Sequence, residues 1–532
     1  MANPSLQIGN DNWAIKEDNL LGYSTAGTRF VPQPITMTRA SAGTRVNPSG
    51  LVETVELLGS EEVTDGNFPT PNTEWSSFGL ATISENIVNF VDAGSNTYSG
   101  ITQDINSFSA KQYKIEITVT NWISGNIQAT FSSNNASFNI TGNGTYSVYL
   151  TPVSNGDDIG LVRDYSSGAD FSYSITNVSV KEATKNDLAR VDYTDGTSSL
   201  LAEPERRNLV TYSEVISNLS LLTGGAGTYT ITDNYTDSPE GVQNASRVQM
   251  SIVDTNDGAN YSLIALNSSM TNGVTREISF YAKSLTGLNQ EVLVYWSTAK
   301  QIVTLTNDWQ RFEISGTSNQ SGAVLIGARG GATQYYAGGD ANLDFALWGL
   351  QVEDDGSGGG SSYATSYIPT SGGTVTRNQD IFSRDGIGSL INSEQGVLFV
   401  EIAALADDLT GRYITISDGG TNNMIRFYYN TNSNGLTARY YVGNTTQCNF
   451  AHTLSNATTF NKIAFKWKVN DFSLWVNGTE VATETSGAVN VADTFNEIDF
   501  RLGGGNNFYG KVKQLQVFKT ALSDSELATL TT

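Results

Sequence analysis

ITMTRASAGTRVNPSGLVETVE (residues 35–56) and NDLARVDYTDGTSSLLAEPERRNLV (residues 186–210) are two halves of one pattern. Each carries short apolar stretches, such as Leu51 to Val55 and Leu200 to Leu201, bounded by Gly, Pro, Asn or Asp. That spacing writes short strands and turns. A self-contained β-rich segment separates the halves, so they are expected to be neighbours in space: a split β-scaffold, 35–56 with 184–207, hosting an inserted module at 57–183.

Inside the insertion the period is two. Tyr113, Ile115, Ile117 and Val119 alternate with Lys114, Glu116 and Thr118, a strand with one buried face. Further strands are expected at Ile87 to Val91, Ile127 to Phe131, Tyr146 to Leu150 and Phe171 to Val180, with turns at Asp65-Gly66, Asn143-Gly144 and Asn155-Gly156. A second module at 208–355 follows the same plan, with strands at Ile278 to Lys283, Glu291 to Trp296, Trp309 to Ile314 and Asn342 to Glu353. Its last strand matches that of the first: Tyr173, Ile175, Val178 and Val180 align with Phe345, Leu347, Leu350 and Val352. In both, the alternation breaks at one place, Thr176-Asn177 and Trp348-Gly349, as a β-bulge requires. Two divergent copies of one jelly-roll module are the reading.

DDGSGGGSS (354–362) reads as a flexible linker, within a connector at 356–388. A third sandwich occupies 389–532, where Ile463, Phe465 and Trp467 oppose Lys466 and Lys468, and Ser523 with Glu526 forms a capping box for one short helix. The fold class is all-β: multidomain β-sandwiches. Residues 1–34, with Trp13, Tyr23, Phe30 and several prolines, read as an N-terminal attachment segment.

Composition limits the function classes. The net charge is -23, which repels phosphate backbones and argues against nucleic-acid partners. The single cysteine, Cys448, excludes an intramolecular disulfide framework and fits assembly in a reducing cytoplasm. Neither a secretory signal nor a run of the roughly 20 apolar residues of a membrane span is written, so no membrane insertion is expected.

Three stretches carry resemblances. TRASAGTRVNPSGLVETVE, ARVDYTDGTSSLLAEPERRNLV and LWGLQVE with ATSYIPTSGGTVTR resemble bacteriophage tail- and fibre-type structural proteins bearing carbohydrate-binding-like jelly rolls. DGNFPTPNTEW (65–75) and SITNVSVKE resemble such a jelly roll, whose last strand often helps hold a structural calcium; here those positions are Thr176 and Trp348, which are not carboxylates. NKIAFKWKVNDFSLWVNGTEVA (461–482) and FYGKVKQLQVFKTALSDSELATL (508–530) are similar to concanavalin A-like, laminin-G-like sandwiches. The resemblance implies a virion protein, assembled in the host cytoplasm and carried on the virion surface. It would contact other virion proteins through its N-terminal segment and host surface glycans through its sandwiches. A homotrimer follows by analogy with fibres.

No catalytic motif is written. Any histidine chemistry must use His452, four residues from Cys448, and the adjacent carboxylates Asp157-Asp158, Asp354-Asp355 and Asp407-Asp408 are the sequence neighbours a glycosidase could draw on. The chain is read as a non-enzyme, with a purely structural assembly protein and a polysaccharide-degrading enzyme as alternatives. Sugars need exposed aromatic faces beside polar groups, which nominates Trp122, Tyr335, Tyr336, Tyr440, Tyr441 and Trp475. No cofactor is implied beyond structural calcium, for which Asp340 in GGDAN and Asp418 in SDGG are candidates. Arg39, Arg45, Arg190, Arg206 and Arg207 of the scaffold are expected to tie acidic neighbours to it.

Overall fold

The computed structural model describes residues 2–16, 19–26, 29–92, 97–138, 140, 142–164, 171–296, 299–318, 322–331 and 337–532, the side chains of 14–34, 92 and 267–270 excepted. The chain forms two compact units, one of residues 56–185 and one of residues 1–55 with 186–532.

The first unit is a sandwich of two antiparallel sheets. One runs in the order Gly144–Leu150, Tyr113–Ser124, Phe171–Thr184, Ile87–Asp92, Ala81–Ser84; the other runs Asn134–Ser137, Ile127–Phe131, Ile159–Arg163, Gly100–Gln103, Ser76–Phe78. The alternation in Tyr113–Ser124 delivers Tyr113, Ile115, Ile117 and Val119 into the core against Phe131, Ile159 and Leu161 of the facing sheet. The entering strand Leu57–Glu61 pairs with the leaving strand Phe171–Thr184, so the unit starts and stops side by side, as an insertion requires.

The second module repeats this topology strand for strand. Its sheets run Gln310–Thr317, Thr275–Ser284, Asn342–Asp354, Ala245–Ser251, Thr228–Thr236 and Ala299–Leu305, Gln290–Trp296, Gly322–Arg329, Tyr261–Met270, Ser220–Gly224. The shared phase break is a bulge in both. Register slips in the first copy from Thr118 opposite Asn177 to Val119 opposite Ile175, and in the second from Ser279 opposite Gln351 to Tyr281 opposite Trp348. Gly349 takes the positive φ of 67° that the second slip demands.

The C-terminal sandwich recruits more chain than 389–532. Leu6–Gly9 pairs with Gly510–Phe518, Ser199–Ala202 pairs with the start of that same strand, and Arg29–Thr38 pairs with Ile381–Arg384. Leu6, Ile8, Ile35, Met37, Leu200 and Ala202 lie in one core with Ile463, Phe465 and Trp467. Within the expected N-terminal attachment segment, Leu6–Gly9, Ala14–Lys16, Asn19–Ala26 and the start of Arg29–Thr38 are strands of this sandwich, and Leu6 and Ile8 bury in its core. The helix Asp524–Thr531 starts where the capping box puts it, with the Glu526 carboxylate accepting from the Ser523 amide at 3.0 Å.

The split scaffold is a joint of buried charge. Arg39 pairs with Asp380 at 2.8 Å, and Arg190 pairs with Glu203 at 2.5 Å and also with Asp380. Arg377 completes the cluster on Glu203 at 2.9 Å. Arg45 reaches Glu53 at 2.8 Å, Arg207 reaches Asp354 at 2.5 Å, and Arg206 lies 3.9 Å from Glu353. All five scaffold arginines therefore meet carboxylates. Burial alone would raise the Glu203 carboxyl, but Arg377 and Arg190 outweigh it and hold it far below the ordinary range. Ions this deep persist only when every partner is in place, which fixes geometry more than it adds stability.

The expected flexible linker is also corrected. The Asp355 carboxylate accepts from the amides of Ser357 and Gly359 at 3.0 and 2.7 Å, and Arg276 donates to the carbonyls of Gly358, at 3.0 Å, and Gly359. Composition permitted freedom; distant donors remove it.

Candidate functional site

The outward face of the first module's Ser76–Phe78 sheet carries a groove of about 580 Å³, lined by Phe78, Tyr98, Thr102, Thr130, Ser132 and Asp158. Strand parity builds it. Ile101, Ala129, Phe131, Ile159 and Leu161 point into the core, so Gly100, Thr102, Thr130, Gly160 and Val162 point out. Register sets two rows: Phe78, Gly100 and Val162 in one, and Ser76, Thr102, Gly160 and Thr130 in the next.

Glycines make the floor low. A Cβ on Gly100 would sit 2.6 Å from Phe78 Cζ, and one on Gly160 would sit 2.6 Å from Thr130 Cγ2. Phe78 therefore lies across Gly100 and stacks on Tyr98, with centroids 5.1 Å apart and planes at 28°. Tyr98 remains 57% exposed. The buried Ser99 hydroxyl fixes the turn behind it, accepting from the Leu80 amide at 2.9 Å and donating to the Thr97 carbonyl at 3.0 Å.

The far wall is braced by Asp157. Its carboxylate accepts from the amide and hydroxyl of Ser154 at 2.8 and 2.7 Å, the Ser132 hydroxyl at 2.7 Å and the Val153 amide at 2.9 Å. Those bonds, led by the Ser154 amide, hold its pKa down at about 2. With Asp157 committed to the loop, Asp158 stands exposed at the groove edge. An aromatic pair offers its face to sugar C–H groups, and two threonines and a carboxylate offer hydrogen bonds to hydroxyls.

The same face of the second copy is closed. Leu263, Leu293 and Tyr295 cluster there with Tyr261, Ile302 and Leu325, and the chain at Gly338 lies so close that a Cβ would sit 2.4 Å from Ile302 Cδ1. One copy keeps an open polar platform, and the other buries an apolar one.

The nominated residues separate. Trp122 is half-buried, with its indole donating to the Gly125 carbonyl at 3.0 Å, away from the groove. Tyr335 and Tyr336 lie outside the described residues. Tyr440 is corrected to a core residue: it is fully buried, and its hydroxyl donates to the Ser393 carbonyl at 2.6 Å. Tyr441, its neighbour, takes the outward face but is buried, with Arg426 4.6 Å over its ring. Trp475 is corrected as well. It does leave the main core, but Leu522 and Leu527 of the C-terminal segment cover it. Parity assigns a face; it does not reveal what covers that face.

The two calcium candidates take part in local hydrogen bonds. Asp340 accepts from the Glu291 amide at 2.8 Å, and Asp418 accepts from the Gly420 amide and Asn423 side chain, both at 2.8 Å. Among the described residues no group of three or more His, Cys, Asp or Glu side chains converges as a metal site. A second cavity, about 230 Å³ at the joint, is lined by Arg45, Asp192, Arg311, Glu313 and Lys511, whose charges pair within the joint.

Sequence reasoning missed Phe78, Tyr98, Thr102, Thr130 and Asp158. The available signal was Gly100 and Gly160 within strands, where missing side chains mark close approach.

Comparison with known proteins fixes the C-terminal architecture. Residues 400–528 match the concanavalin A-like lectin/glucanases superfamily. That stretch of the C-terminal sandwich is similar to this superfamily. Similar solved structures include the CBM40 of Ruminococcus gnavus IT-sialidase, with 19% identity, 26% of this chain and 84% of that one covered, and a TM-score of 0.23. The CBM22 tandem of Paenibacillus barcinonensis Xyn10C shows 11% identity, coverage of 55% and 97%, and a TM-score of 0.20. Domains LG4-5 of the mouse laminin alpha1 chain show 10% identity, coverage of 51% and 94%, and a TM-score of 0.19. Among curated proteins, none matches this chain. Among the described residues, no helix is long and apolar enough to cross a membrane.

Proposed function

We propose that this protein is a bacteriophage virion component, tail- or fibre-associated, that displays β-sandwich modules to bind host surface glycans. The observation that carries the binding is the open groove with the Phe78–Tyr98 pair beside Thr102, Thr130 and Asp158. The lectin-like match over 400–528 supports the same class of ligand. The virion setting rests on the resemblance of the split scaffold to phage tail proteins, and display as a homo-oligomer at the virion surface belongs to that reading. A site of roughly millimolar affinity suffices in a multicopy particle, because avidity adds a factor on the order of a hundred or more.

Binding without cleavage is part of the proposal. Burial pushes the Cys448 thiol up to about 12, which denies it thiolate character beside His452. Asp157, Asp355 and Asp407 accept from loop amides, Asp354 pairs with Arg207 and Asp408 with Arg412. Such carboxylates are held for structure.

A glycan array probed with the full chain in multivalent form tests the binding. Hits that weaken in Tyr98→Ala support it; silence on every glycan overturns it. Labelling intact particles with an antibody to this chain tests the setting, and a protein absent from the particle surface overturns that part.

A further inference from the structure

The C-terminal sandwich carries a second surface of different chemistry. On the outward face of Arg412–Ser417, Met424–Tyr429 and Gly435–Val442, register places Tyr413 opposite Tyr428 and Arg426 opposite Arg439. Tyr413 and Tyr428 stack at 4.3 Å with planes 12° apart. Arg426 lies over Tyr441 at 4.6 Å, and Arg439 over Tyr428 at 5.8 Å. The Arg439 guanidinium is held by Asn449 Oδ1 at 2.7 Å and by the Tyr441 hydroxyl at 3.4 Å.

Two like charges directly opposite each other on paired strands repel. In a chain of net charge -23, carboxylates are plentiful, yet among the described residues neither Arg426 nor Arg439 forms an ion pair. Their row continues through Thr415 to Asp499, two strands from Arg426, and Asp499 is taken by Arg501 at 2.7 Å. Both guanidiniums are half-buried and fixed on tyrosine rings, with donors left over. A carboxylate bridging them would relieve the repulsion and accept charge-assisted bonds.

The geometry points to a site for acidic saccharides, in which Arg426 and Arg439 bind a sugar-ring carboxylate and the half-buried Tyr413 flanks the ring. An acidic peptide fits less well. Met424–Tyr429 is already paired on both edges, so no strand edge is free for a peptide backbone. The site is independent of the first module's groove, and absence of neutral-glycan binding there leaves it standing.

Calorimetric titration of the full chain with tri-galacturonate and with a hyaluronan tetrasaccharide tests it, using the methyl ester of tri-galacturonate and tri-glutamate as controls. Binding of at least one acidic saccharide, weakened by salt and absent for the ester, is the expected result. Arg426→Gln with Arg439→Gln should reduce affinity about tenfold or more, and Arg439→Lys should retain part of it. The double variant removes a repulsion, so its melting should hold or rise, which separates lost binding from lost fold. No binding of either saccharide at millimolar concentration overturns the proposal. Equal binding of ester or tri-glutamate, or wild-type affinity in the double variant, also overturns it.

Discussion

Asp380→Asn probes the joint at its centre. The Asp380 carboxylate is fully buried and accepts from Arg39 at 2.8 Å, from Arg190, and from the Glu203 amide at 2.8 Å. Burial pulls the Arg39 guanidinium below its ordinary pKa even with Asp380 beside it, a direct sign of how poorly the site tolerates unpaired charge. Neutralising Asp380 strips Arg39 of its carboxylate and leaves Arg190 and Arg377 sharing Glu203, and breaking a buried pair in this way costs about 3–5 kcal/mol. Scanning calorimetry should show the transition of the unit containing Asp380 moving down while that of residues 56–185 stays in place. Arg39→Met combined with Asp380→Asn should cost less than the sum of the two changes, because the second removes a charge the first has stranded. An Asp380→Asn transition within about 1 kcal/mol of wild type, or additive costs in the cycle, would refute the joint as the element that holds its own unit together.

Glu277 supplies the opposite pH signature to Glu203. Burial, then the Glu353 and Glu313 charges, push its carboxyl from 4.5 up to about 8, so its contribution is fully present below pH 4.5 and is lost as pH rises through 8. Glu277→Gln should therefore gain about 2–4 kcal/mol near pH 8 and nothing near pH 4, read by denaturant titration at both. Glu203, held low by Arg377 and Arg190, stabilises above pH 4.5, and that stability drains as the pH falls toward its depressed value. Cys448 should react with a disulfide reagent only on unfolding, since burial holds the thiol protonated; fast labelling of the native chain would count against the core assignment. Gly160→Ala adds a Cβ 2.6 Å from Thr130 Cγ2 on the groove floor and should weaken glycan binding while the melting of residues 56–185 changes little.

The β-strands were legible where one face is wet. Tyr113–Ser124 alternates because it separates core from solvent, and the common phase break at Thr176 and Gly349 announced the duplicated module. Ile159–Arg163 is buried along its whole length, so it writes no alternation and gave no signal. The scaffold arginines were readable as a joint because buried guanidiniums demand carboxylates. Their partner Asp380 was not, since it lies 190 residues from Arg190 in the chain. The groove was hidden for the same reason: its residues come from distant strands and meet only through register. Trp475 misled because parity turned it away from the core while the C-terminal segment, invisible to parity, closed over it.

The measurement closest to the central claim is titration of the full chain with its best array glycan, wild type beside Tyr98→Ala. Loss of one aromatic face, worth about 0.5–1.5 kcal/mol, predicts an affinity lower by up to about tenfold with both calorimetric transitions unmoved. Equal affinities in the two proteins, or no glycan ligand at any valency, would contradict the account.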